Sequence, residues 1–219
     1  MKGFKNVSPE EFARILDDAP LSPVFRSEFT RYEPSYFEGW FGPDCMVHEG
    51  DLTVSGDFTA PGFYTLIIGN LVVGGHLSLD NPYDKGFEEG GLFVVVGDVR
   101  CRSFSHEFGK VAFIDGDLEV RDLILNFHDD ASLVAIGTLK TYFFYSAGAW
   151  AEVGIGAFME YGVGVCLPLG WTNADLERIE PRHDEETSLS LLDVDDPEAI
   201  DNIDLEARFR QGHPIFKRR

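Results

Sequence analysis

Positive charge is what this sequence is shortest of: 18 Lys and Arg stand against 38 Asp and Glu in 219 residues, a net charge of −20. Such a surface repels polyphosphate backbones and anionic headgroups, so nucleic acid and membrane surfaces are not expected as direct partners. Cysteine is scarce as well. Cys45, Cys101 and Cys166 are odd in number, far apart and without metal-ligand spacing, which argues against a disulfide framework and for a reducing, cytoplasmic setting. No opening segment joins a basic flank, an apolar run and a small-residue cleavage site, so secretion is not expected. The stretch SAGAWAEVGIGAFMEYGVGVCLPLGW at 146–171 is broken by Glu152, Glu160 and several glycines. It falls short of the ~20 clean apolar residues a spanning helix needs, and a final irregular coil is the expectation.

Catalytic signatures are also lacking. The six histidines (His48, His76, His106, His128, His183, His213) show neither HxxxH nor HExxH spacing, and there is no Walker loop, GxSxG or GxGxxG. No metal, cofactor or catalytic residue is implied. The most site-like cluster is His128-Asp129-Asp130, where a loop can set an imidazole beside carboxylates, although a solvated turn accounts for it more simply. Asp98, Asp117 and Asp122 would imitate the carboxylate groove of a carbohydrate-active β-helix enzyme, but no basic catalytic partner accompanies them.

What the sequence does have is glycine, 23 residues of it, and repetition. Aligned on Gly50, Gly69, Gly97, Gly116 and Gly137, the segments HEGDLTV, IIGNLVV, VVGDVRC, IDGDLEV and AIGTLKT recur at intervals of 19, 28, 19 and 21 residues. The long interval contains DNPYDKGFEEGG, residues 80–91, whose composition is that of a loop. A period near 20 marks a supersecondary unit that buries its apolar face only by stacking on its neighbours. In residues 116–136 the pieces DLEV, DLIL and SLVAI are too short for helices and read as strands, with Leu118, Val120, Leu123 and Leu125 pointing inward. The fold class is therefore mainly β, a parallel β-helix or solenoid of roughly 19–21-residue coils. At each corner Gly accommodates positive φ, and the next residue (Asp51, Asn70, Asp98, Asp117, Thr138) hydrogen-bonds backbone N–H groups.

The flanks read differently. In NVSPEEFARIL, Ser8 caps a short helix with Pro9 at its first position, Glu11 completes a capping box, and Val7 staples onto Phe12. Beyond it PLSPVFRSEFTRYEPSYFEGWFGPDC reads as an irregular segment that packs its aromatics on a core. Near the other end NADLERIE suggests a helix capped by Asn173, RHDEETSLSLLDVDD an acidic surface crossing, and the stretch after Asp196-Pro197 an apolar-striped helix ended by Gly212 and Pro214. The expected organisation is a helical, aromatic-rich N-terminal cap (1–48), a repeat domain (49–170) and an acidic helical C-terminal cap (171–219).

The GDLxV units followed by xLxL, over about residues 49–141, resemble the polymer-forming bactofilin-type β-helix repeats of bacteria. They resemble still more the small bacterial relatives that carry such a β-helix between a helical N-terminal piece and an acidic C-terminal helix. Some proteins of that broad kind are immunity partners of toxins. The resemblance implies a non-enzymatic protein-binding module, an immunity-type protein whose acidic surface meets a basic toxin or enzyme, with Glu88, Glu89, His128, Asp129 and Asp130 as candidate contacts. The alternative it implies is a self-associating scaffold stacked end to end. This chain departs from the polymer-forming pattern by carrying substantial segments at both ends, which can cap the solenoid.

Overall fold

The computed structural model describes residues 3–32, 44–79, 91–106, 110–127, 132–147, 149–171, 177–194, 208, 211 and 213–217. Of the described residues 53% are strand and 15% helix, and they wind into a parallel β-solenoid of about five turns. One wall, sheet A, has the spatial order β1 (Lys5–Val7), β2 (Cys45–Glu49), β5 (Tyr64–Ile68), β7 (Leu92–Val96), β9 (Val111–Ile114), β11 (Ser132–Ala135), β13 (Trp150–Val153), β15 (Leu167–Pro168). The other wall, sheet B, runs β3 (Leu52–Val54) with β4 (Phe58–Ala60), β6 (Leu71–Leu79), β8 (Val99–His106), β10 (Leu118–Phe127), β12 (Thr138–Ala147), β14 (Gly156–Val163). All pairings are parallel except β1 on β2. The first coil thus begins at Cys45, a few residues before the first Gly-Asp corner.

Between the walls the repeat stacks like on like. Leu71, Val99, Leu118 and Leu139 lie on successive rungs, as do Val73, Cys101, Val120 and Thr141, and all are buried. Each sheet-B strand then bends. The register shifts between Val73 and His76 and between Val120 and Leu123, where Gly74-Gly75 and Arg121-Asp122 occupy the space that Arg102 alone fills in β8. Across the two-residue bends of β6 and β10 plain alternation continues, whereas the one-residue bends of β8 and β12 exchange inside for outside, so Phe104 and Phe144 stack with Leu77 and Ile124 in the core. Leu123 and Leu125, expected inside, belong instead to an outer cluster with Phe143, Tyr145, Leu192 and Ile215, while Ile124 enters the solenoid core. DLEV and DLIL are one bent strand.

The terminal segments lie mainly along the sides of the solenoid. Helix α1 (Pro9–Asp18) starts where Ser8 Oγ accepts from Glu11 N–H at 3.2 Å; its hydroxyl binds Glu10, not Glu11. Phe12 and Leu16 of α1 pack with Tyr64, Leu66, Val94, Phe113 and Val134 on the outer side of sheet A. A second helix, α2 (Pro23–Tyr32), stands where the sequence suggested irregular chain. Its Ser22-Pro23 start repeats the Ser8-Pro9 signature: Ser22 Oγ accepts from Phe25 N–H at 3.0 Å, and Ser22 is itself held by Asp115. Phe25 and Phe29 each set their rings 5.2 Å from Phe113.

The acidic stretch expected as a surface crossing contains helix α3 (Glu185–Ser190), capped by Asp184, which accepts from Thr187 N–H at 2.7 Å. Leu189, Leu192, Val194 and Phe216 close over the outer face of the second half of sheet B. Ile179, placed in a helix by the sequence, forms an antiparallel bridge with Cys166 instead. The Asn173 cap and, apart from helical Arg208, the helix after Asp196 lie outside the described residues, as do Glu88, Glu89, His128, Asp129 and Asp130. Among the described residues no helix is long and apolar enough to cross a membrane.

Candidate functional site

The Gly-Asp repeat builds a continuous border along one edge of sheet B. Asp51 Oδ1 accepts from Asn70 N–H (2.8 Å), Asn70 Oδ1 from Asp98 N–H (2.9 Å), Asp98 Oδ1 from Asp117 N–H (2.9 Å) and Asp117 Oδ1 from Thr138 N–H (2.7 Å). Each side chain caps the corner of the next coil rather than its own. The glycines serve this close stacking. Gly50 sits at φ 99°, but Gly116 and Gly137 have no positive φ. At those two positions a Cβ would fall 2.5 Å from the Gly97 carbonyl oxygen and 2.3 Å from Asp117 Oδ1.

Bounded by this border, the first half of sheet B turns outward a bare, exposed face that no other described strand or helix covers. Its outward column reads Thr53, Val72, Arg100, Glu119, Lys140, Phe158 on successive rungs. Arg100 and Lys140 flank Glu119 at 3.4 and 3.8 Å. A second column at the bend holds Arg102, Arg121 with Asp122, Tyr142 and Glu160; Arg102 and Arg121 reach Asp122 at 2.8 and 2.9 Å. Although burial pushes the Asp122 carboxyl up, these two guanidiniums outweigh it and hold the pKa below the usual carboxylate range. Where the bare half meets residues 180–182, an open groove of about 850 Å³ is lined by Glu119, Lys140, Tyr142, Phe158, Tyr161 and Arg182. Of four exposed large hydrophobic residues among those described, Val72, Ile155 and Phe158 lie on or beside this face, with Phe158 64% exposed.

Two histidines join polar networks that the sequence did not reveal. His106, wholly buried, places Nε2 2.7 Å from the Lys110 carbonyl, to which it donates, and Nδ1 2.9 Å from the Asn126 amide, which in turn reaches Ser146 Oγ at 3.1 Å. Burial drives its pKa down to about 4, against the opposing pull of the Asn126 and Lys110 contacts. His76 lies 2.8 Å from Ser103 Oγ and 2.9 Å from Ser105 Oγ. The distances suit a nucleophile and a base, but all three side chains are buried, so the contacts satisfy polar groups under the outer layer.

Asp98 and Asp117 spend Oδ1 on corner bonds, while Asp122 stands at the opposite border between two arginines. They do not converge as an acid–base pair. Among the described residues no group of three or more His, Cys, Asp or Glu is placed to hold a metal ion. Burial keeps the cysteines as thiols, pushing Cys45 to about 11, Cys166 to about 12 and Cys101 higher still. No protein-family model matches the chain, and no curated protein or solved structure matches it either.

Proposed function

We propose that this chain is a discrete, non-enzymatic protein-binding module whose acidic surface engages a basic protein. Following its resemblance to immunity-type relatives of bactofilins, that partner is a toxin or enzyme which binding neutralises. The observation that supports this reading most is the closure of the solenoid by its own chain. At the start, β1 pairs antiparallel with β2 and Phe4 packs on His48 and Phe58. At the finish, Cys166 and Ile179 bridge over the core, and Arg182 and His183 donate backbone N–H groups to Met159 and Glu160 of β14. A solenoid whose own chain pairs with parts of its first and last rungs resists polymerisation, since end-to-end assembly would have to displace both closures.

Charge supplies the partner's sign. Glu10, Glu11, Asp17 and Asp18 on α1 and Asp184, Glu185 and Glu186 at α3 are exposed on the two covering layers, and complementary fields speed encounter and select against like-charged proteins. The reading is tested by reversing Glu88, Glu89, Asp129 and Asp130 to Lys in the full chain and measuring affinity for the protein that co-purifies with it by calorimetry. A loss of about ten-fold or more is expected. An unchanged affinity removes these four residues from the interface.

A further inference from the structure

The bare half of sheet B is complementary to itself. On four successive rungs its outward column carries Arg100, Glu119, Lys140 and Phe158, and its bend column carries Arg102, Arg121-Asp122, Tyr142 and Glu160. We propose that a second copy of this chain docks on this face, about a two-fold axis that runs parallel to the strands and passes between the rungs of Glu119 and Lys140. The operation reverses the solenoid axis and sets each column against itself. Glu119 then faces Lys140 of the second copy, Arg100 faces Phe158, Arg102 faces Glu160, and Asp117 of the border faces Thr138. Asp98 faces the uncharged corner at Ile155-Gly156.

Neighbouring registers fail on charge. An axis through Glu119 sets that carboxylate against its own copy and Arg100 against Lys140. An axis through Lys140 opposes two ammonium groups. An axis between Arg100 and Glu119 pairs those two but sets Asp98 against Asp117. The position between Glu119 and Lys140 pairs Glu119 with Lys140 and Arg102 with Glu160, and it lays Arg100 over Phe158 and Arg121 over Tyr142, where a guanidinium is attracted to the ring face. The groove has a place in this geometry, since Arg100 and Arg102 of one copy point to where Phe158 and Glu160 of the other line its wall.

Net charge favours this flank as well. Two chains of −20 repel, and they approach best over a face that is locally neutral. Here Arg100, Arg102, Arg121, Lys140 and Arg182 nearly offset Glu119, Asp122, Glu160, Glu180 and the border residues Asp98 and Asp117. With rungs ~4.8 Å apart the face is about 25 Å long. It is smaller than the ~800 Å² per partner of a standard interface, so the dimer forms in the micromolar range.

Sedimentation equilibrium of the full chain, from about 1 to 300 µM, tests this, with a monomer–dimer Kd of ~1–100 µM expected. Glu119→Lys and Lys140→Glu each create like-charge contacts and weaken the dimer about ten-fold or more. In a 1:1 mixture of the two variants, the Glu119→Lys copy meets the Lys140→Glu copy with opposite charges at both symmetry-related contacts. The mixture therefore returns the affinity to near the wild-type value, which also shows that both variants are folded. Wild-type chain that stays monomeric throughout overturns the proposal. So do single variants that dimerise like the wild type, or a mixture that remains monomeric.

Discussion

The outer side of sheet A and the bare half of sheet B belong to the same coils and share one repeat, yet one is sealed under two helices and the other faces water. The difference lies in the residues that alternate outward. On sheet A these are Tyr64, Leu66, Leu92, Val94, Phe113 and Val134, so β5, β7, β9 and β11 are apolar on both faces and need a second layer, as strands of parallel sheets do. On the bare half they are Arg100, Glu119 and Lys140, which stay solvated. The terminal segments therefore go where the outward columns are apolar. A solenoid of this kind offers partners the flank its own chain has no reason to cover.

The strongest way to break the contrast is to hollow the sealed flank. Phe113→Ala removes a fully buried ring that packs on Phe25 and Phe29 and should lower unfolding free energy by about 3–5 kcal/mol in urea titration, loosening α2 at the same time. Next comes acid. His106 is neutral when folded, with its pKa lowered to about 4, whereas the unfolded imidazole titrates near ~6.5. Between these values the unfolded state binds more protons, so stability rises with pH and is lost as pH falls from ~6.5 towards 4, by up to about 3 kcal/mol. His106→Asn should flatten that part of a pH series of urea midpoints.

Smaller effects sharpen the comparison at its border and on the bare side. Gly116→Ala forces a Cβ against the Gly97 backbone and should destabilise by about 1–3 kcal/mol in thermal melts. Asp117→Ala leaves the Thr138 N–H without its acceptor and should lower unfolding free energy by about 1 kcal/mol. Arg100→Ala, Glu119→Ala and Lys140→Ala, on the bare flank, should each move it by less than about 0.5 kcal/mol. A large loss from any of these three would show that the flank is covered after all.

The repeat was legible because the corner chemistry recurs: Gly where two backbones nearly touch, then a side chain that caps its neighbour. The bare flank was legible too, in the third residue after each corner glycine, which reads Thr53, Val72, Arg100, Glu119 and Lys140. That alternation marks one solvated face as clearly as the leucines mark the core. Helix α2 was signalled by Ser22-Pro23 as plainly as α1 by Ser8-Pro9, but the following Pro, Gly and aromatic residues obscured it. The outward turn of Leu123 and Leu125 was missed because DLEV and DLIL read as separate strands with independent faces; as one strand, alternation from Leu118 and Val120 puts Ile124 inside and those two leucines outside.

The sequence by itself determined the architecture: a stack of short parallel coils, its period, its corner residues and its acidic surface all follow from local rules repeated five times. Tertiary structure decided which faces are buried. Whether an alternating strand turns its second apolar set to water, to α1 and α2, or to the segment around α3 depends on where the sheet bends and where distant chain returns, and local propensity does not encode long-range return. The same holds for His106. A histidine at the end of a strand became a buried neutral group because tertiary packing removed it from water, while Asn126 of the next coil and the nearby Lys110 carbonyl satisfy its ring nitrogens.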